Sequence, residues 1–171
     1  LDAMHRIDPR QFVEELRKDS SFINTFHHGT PSQFVYSYLG MKMDNAKLSD
    51  VKTRKALRHL TNAQEYSDRV FFGLGERVST FIHPSKKQFI NEKLVMPEYN
   101  IEKAKTLLAE AGWSDSNQDG TLDKVINGER VDFKIEVLYP KVETLINPTS
   151  SKFSILLSPK TSVFTEYLFL S

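Results

Sequence analysis

The residues best placed to do chemistry are Asp115-Ser116-Asn117-Gln118-Asp119-Gly120-Thr121-Leu122-Asp123. Oxygen-bearing side chains at alternate positions, with glycine sixth for a tight turn, match the first half of an EF-hand calcium loop. Calcium is a hard cation that takes six to eight oxygens. Asp115, Asn117, Asp119, the Thr121 carbonyl and Asp123 would supply about five of them. The pattern then departs from that loop: Ile126 stands where the bidentate acid belongs, and Gly128 with a strand follows in place of a helix. A weak calcium site and a plain Asx-rich turn both remain open readings.

The other candidate chemistries are thinner. Of the five histidines, His27 and His28 are adjacent, so on a strand they point to opposite faces, and no His-x-x-x-His or His-Glu-x-x-His spacing occurs. Gly73-Leu74-Gly75 lacks the preceding strand, the third glycine and the Lys-Ser/Thr of a phosphate loop. There is no cysteine, which excludes disulfides, zinc–thiolate sites and thiol nucleophiles. No nucleophile-elbow pattern occurs either, so no catalysis is expected.

Several elements must position these residues. Asp8-Pro9 opens a helix expected over 8–18, with Asp as N-cap and Pro at the first helical position. Ser49-Asp50 caps a second over 50–60, a third runs over 63–72 to the stop at Gly73, and Asn100 caps the clearest, over 100–111, ended by Gly112. Trp113 is expected to pack back on that last helix. Two strands are expected. In Phe34–Met43 apolar side chains alternate on both faces, as in a central strand; in 131–139, Val131, Phe133, Ile135, Val137 and Tyr139 alternate with charged residues. After Pro140 the composition turns to Ser, Thr, Leu and Phe, with candidate strands at Phe153–Leu157 and Val163–Leu170. The expected architecture is an α/β lobe, a small mixed sheet flanked by helices.

The 171 residues suit one domain with a proper core, and 23 Lys and Arg against 22 Asp and Glu give a net charge of +1. That balance points to no nucleic-acid partner. Leu1–Arg6 does not read as a signal peptide, and no apolar run approaches the ~20 residues a bilayer span needs. The chain is expected to be cut from something longer.

Three stretches in one order carry a resemblance. The first is Tyr38-Leu39-Gly40 followed by Leu48-Ser49-Asp50-Val51-Lys52-Thr53-Arg54-Lys55-Ala56-Leu57. The second is Phe72-Gly73-Leu74-Gly75-Glu76 with a later His83-Pro84. The third is Tyr99-Asn100-Ile101-Glu102-Lys103-Ala104-Lys105-Thr106-Leu107-Leu108-Ala109-Glu110-Ala111-Gly112-Trp113. Together they resemble the family 5 extracellular solute-binding proteins, the oligopeptide and dipeptide receptors of ABC importers, over residues 2 to 140, about four-fifths of the chain.

The resemblance implies part of the second, C-terminal lobe of a type II periplasmic-binding-protein fold, a hinged clamp closing on a peptide. Its partners would be a peptide ligand, the permease subunits and a first lobe of the parent chain. Its location would be periplasmic or extracellular, lipoprotein-anchored in the parent. Tyr38 matches a tyrosine facing the ligand cleft, Gly40 stands where some relatives carry Glu, and His5 and Arg6 match polar cleft-lining positions. The family's later acidic residue, which pairs with a peptide amino terminus, has no counterpart in 141–171, an atypical tail. Receptors for nickel and sugars also occur in the family, which leaves the solute open. A different reading, a calcium-stabilised interaction or scaffold domain without a transport role, predicts calcium-dependent stability and a self-sufficient core.

Overall fold

The structure is a computed structural model that describes residues 7–30, 34–140 and 150–156. The chain divides into two compact units, one of residues 1–39 and 63–96, the other of residues 40–62 and 97–171.

In the first unit, helix α1 (Pro9–Glu14) starts where the Asp8 carboxylate accepts hydrogen bonds from the Arg10 and Gln11 amides, at 2.9 and 3.2 Å. It is shorter than expected: the helix breaks at Glu15 and continues as a single 3-10 turn, Leu16–Lys18. Asp19 then caps a helix that the polar Lys18–Ser21 stretch had concealed, α2 (Ser20–Thr25), by accepting from the Ser21 amide at 2.8 Å. Phe12 is buried, its ring edge-on to His28 at 6.0 Å, and His28 also meets Phe22 at 5.7 Å. Helix α4 (Ala63–Phe71) ends in the expected glycine turn, with Phe72 and Gly73 both at positive φ. At Gly75 a side chain has no room. A Cβ there would stand 2.8 Å from the Ser67 hydroxyl, which donates to the Gly75 carbonyl. The positive φ of Gly73 and the packing of Gly75 against α4 account for this glycine pair.

The second unit holds the larger core. Helix α3 (Val51–Leu60) is capped by Asp50, which accepts from the Lys52 and Thr53 amides. Helix α5 (Ile101–Glu110) is capped by Asn100, which accepts from the Lys103 amide at 2.9 Å. The two helices pack together, burying Ala56, Leu57 and Leu60 against Ala104, Leu108 and Ala111. Helix α5 ends at Gly112, in the left-handed conformation (φ 85°), with the Lys124 ammonium donating to the Ala111 carbonyl. Trp113 does more than fold back on α5. Its indole N–H donates to the buried Thr53 hydroxyl of α3 at 3.0 Å, and its ring meets Phe133 edge-on at 4.2 Å. Phe133 is completely buried.

Strand expectations fare unevenly. The run 131–139 is two strands, not one. Strand β1 (Asp123–Ile126) and β2 (Glu129–Asp132) form an antiparallel hairpin, and β3 (Lys134–Pro140) pairs antiparallel with β4 (Ser150–Leu156). The switch falls at Phe133, whose amide bonds to the Leu122 carbonyl. The hairpin turn is Asn127-Gly128, both at positive φ, the two-residue geometry that follows the twist of the strands. Strand β4 covers most of the expected 153–157; the expected strand 163–170 lies outside the described residues.

Residues 34–43 are not a strand. They run without regular structure as far as Lys42, with a turn from Met43, and Phe34, Val35, Tyr36 and Tyr38 are all more than half exposed. A strand needs a neighbour to take its alternating N–H and C=O groups, and among the described residues every pairing belongs to β1 through β4 or the Ser114–Asp123 bridge. Among the described residues the pairings are all antiparallel, in two separate two-stranded sheets, and the parallel pairs of a mixed sheet are not among them.

Candidate functional site

Of the cleft residues implied by resemblance, the structure describes Tyr38 and Gly40. Tyr38 is 80% exposed, its ring 5.8 Å from that of Tyr36. It falls in the first unit and Gly40 in the second. His5 and Arg6 lie outside the described residues. What Tyr38 does share is a surface of its own segment: Phe34, Val35, Tyr36 and Tyr38 present apolar area to solvent within five residues, with Phe34 tilted against the His83 imidazole at 4.3 Å. Aromatic faces with a polar tip suit a wet, adaptable contact better than a sealed core.

Three of the described histidines, His28, His59 and His83, make local contacts. His59 is buried and its Nδ1 donates to the Glu98 carbonyl at 2.8 Å, tying the end of α3 to the approach of α5. His28 sits 3.2 Å from the Phe26 carbonyl, and the His83 ring accepts from the Ser85 amide.

The acidic turn, by contrast, is drawn together. Two backbone hydrogen bonds between Ser114 and Asp123 close residues 115–122 into a loop directly after Trp113. Within it, Asp115 Oδ2 accepts from the Gly120 amide at 3.0 Å, Asp119 Oδ1 from the Thr121 amide at 2.8 Å, and Asn117 Nδ2 donates to Asp119 Oδ2 at 2.6 Å. The bond from Asn117, helped by the Thr121 amide, holds the Asp119 carboxyl below the usual carboxylate range. Gly120 is at φ 89°, as the sixth position of such a turn demands.

Asp123 behaves differently from its expected role. It is buried, and both its oxygens accept from Ser116, through the hydroxyl at 2.7 and 2.9 Å and the amide at 3.0 Å. It braces the loop. Ser116 is a partner that the alternating spacing of oxygens does not reveal. Asp115 Oδ1 is buried and takes no hydrogen bond. Among the described residues, no three His, Cys, Asp or Glu side chains gather in a way that could hold a metal ion.

Comparison with known proteins gives the wider setting. Residues 2–152 match the family described as bacterial extracellular solute-binding proteins, family 5 Middle. The chain is 35% identical over 120 residues to the oligopeptide-binding protein AppA of Bacillus subtilis, covering 70% of this chain and 22% of that protein. It is 34% identical over 88 residues to a probable ABC transporter-binding protein of Deinococcus radiodurans, covering 51% and 14% respectively. The chain thus spans about a fifth or less of the length of these curated relatives. Among solved structures it is similar to the oligopeptide-binding protein of Thermus thermophilus complexed with a pentapeptide (35% identity, TM-score 0.46, 52% of this chain and 14% of that one). It is also similar to Bacillus AppA in complex with a nonapeptide (35% identity, TM-score 0.48, 53% and 18%). The family match carries the type II periplasmic-binding-protein fold that the resemblance implies. Matched over most of its length, the chain belongs to the family 5 bacterial extracellular solute-binding proteins.

Proposed function

We propose that this chain forms part of the second lobe of an oligopeptide-binding receptor that delivers peptides to an ABC importer. The observation that carries this reading is the family match over residues 2–152, joined to 35% identity with a relative named for binding oligopeptides. The parent would lie outside the cytoplasmic membrane, held there by a lipid anchor, with permease subunits and a first lobe as its partners. Among the described residues no helix is long and apolar enough to cross a membrane.

Tyr38, with Gly40, His5 and Arg6, is assigned to the peptide-facing side. The exposure of Tyr38 and its aromatic neighbours supports that assignment, because exposed aromatic rings near a chain's main-chain groups are what an extended peptide stacks upon. Gly40 in place of an acidic side chain leaves a contact to water or to the peptide backbone. A half-clamp binds weakly: most of the affinity of such a receptor comes from closing both lobes over the ligand and its waters.

The test is a chimera in which residues 2–152 replace the matching segment of Bacillus AppA, with peptide binding followed by titration of a nonapeptide. A chimera that melts cooperatively and binds the peptide, and loses at least about tenfold in affinity on Tyr38→Ala, supports the reading; tenfold corresponds to about 1.4 kcal/mol. A cooperatively melting chimera without peptide affinity contradicts it.

A further inference from the structure

We propose that Asn127 is a site of spontaneous deamidation, with the Gly128 backbone nitrogen as the nucleophile. The deprotonated nitrogen attacks the side-chain carbonyl carbon of Asn127; the new C–N bond closes a succinimide ring, and the side-chain nitrogen leaves as ammonia. Water then opens the ring at either carbonyl, giving aspartate or isoaspartate. The proposal stands apart from the peptide reading and uses none of its residues.

Asn-Gly occurs once in the chain, at the two-residue turn between β1 and β2. Asn127 and Gly128 are both exposed, and the Asn127 carboxamide has no hydrogen-bond partner among the described residues. The peptide group joining the two residues is unbonded there as well, so the Gly128 nitrogen is free to react. Gly128 has no Cβ to crowd the attack, and even an added one would meet nothing within 4 Å. The turn geometry opposes the reaction. Asn127 sits at φ 53° and Gly128 at φ 86°, and ring closure requires the peptide group between them to swing out of that arrangement. The swing breaks no hydrogen bond, so the rest of the hairpin can stay closed.

The other asparagines lack this combination. The side-chain oxygens of Asn45, Asn91, Asn100 and Asn117 accept from backbone amides two or three residues on, and each is followed by a residue with a side chain. Asn62 precedes Ala63, Asn24 lies in α2 before the β-branched Thr25, and Asn147 precedes Pro148, which has no amide proton.

The two products differ in consequence. Isoaspartate adds a methylene to the backbone between Ile126 and Glu129, the pair that closes the hairpin register. Strand β1 also carries Lys124, whose ammonium caps α5 at the Ala111 carbonyl, and Ile126, which packs on the main core. Isoaspartate at 127 therefore loosens the hairpin from its closed end. Aspartate, which tolerates the left-handed region, leaves it in place.

The experiment ages the whole 171-residue chain at near-neutral and mildly alkaline pH, folded and in denaturant, and locates the products by peptide mass spectrometry. Isoaspartate is read by labelling with an isoaspartyl carboxyl methyltransferase. In the folded chain Asn127 is expected to convert at least about tenfold faster than any other asparagine, and faster at the higher pH. Asn127→Gln, whose longer side chain cannot close the same ring, removes the product from this position. The isoaspartyl form, separated by its added negative charge, is expected to exchange the amides of β1 and β2 faster than the fresh chain. An Asn127 that stays intact in the folded chain while converting in denaturant overturns the proposal, because the turn then holds the nitrogen away from the carboxamide. So does earlier deamidation at any other asparagine, or an isoaspartyl form whose β1 and β2 amides keep their protection.

Discussion

Residues 34–39 leave two tyrosine rings, a phenylalanine and a valine more than half in solvent, whereas residues 99–137 seal Trp113 and Phe133 almost completely from it. Both stretches are rich in large apolar side chains. The difference lies in what each meets nearby. In 99–137 the partners are close in sequence or on one neighbouring helix: Asn100 caps α5, Gly112 stops it, Trp113 reaches Thr53, and Asn127-Gly128 turns the chain back to cover Phe133. The stretch 34–39 has no strand beside it among the described residues, and its apolar faces stay open. Apolar content becomes a core only when the chain supplies the other side of the contact.

That contrast can be broken from the core outward. The largest effect is expected for Phe133→Ala, which removes a fully buried ring and its edge-on contact to Trp113; the cost is about 3–5 kcal/mol, read as the loss of midpoint in a denaturant melt. Next comes Thr53→Val. It strands the buried Trp113 N–H and costs about 1–3 kcal/mol, with a change in tryptophan fluorescence that a surface substitution would not cause. Removing a cap, Asp50→Ala or Asn100→Ala, costs about 1 kcal/mol each and is seen as a lower Tm. At the small end, Tyr38→Ala changes the stability of the chain by less than about 0.5 kcal/mol, because its side chain is mostly in water. A large destabilisation by Tyr38→Ala would erase the distinction between the two regions.

The same contrast explains which parts of the molecule were legible in the sequence. The caps Asp8, Asp50 and Asn100, and the stop at Gly112, are short-range hydrogen-bond devices, so the helices they bound could be read directly, within a residue or two for α3, α4 and α5. Helix α2 is not legible in the sequence although Asp19 is a good cap, because the apolar face behind it is only Phe22 and Ile23. The 131–139 alternation was real but concealed a break at Phe133, which the period of two cannot reveal because it passes unbroken through both strands. For 34–43 the alternation predicted a central strand, and alternation carries no information about whether a neighbour exists. At the acidic turn, the ligand-like spacing was legible; the diversion of Asp123 to Ser116 and the bare oxygen of Asp115 follow from three-dimensional closure by the Ser114–Asp123 bridge. The cleft positions rest on resemblance, and of them the structure describes Tyr38 and Gly40.

Native-state hydrogen exchange on the isolated chain is the most direct measurement of this account. It predicts that amides of residues 34–39 exchange at close to unprotected rates while those of Leu57, Leu108 and Phe133 exchange slowest, near the limit set by global unfolding. Protection of 34–39 comparable to that of α3 and α5 would contradict it, and would mean that the aromatic segment is built into a sheet of this chain and not left open for a ligand or a further lobe.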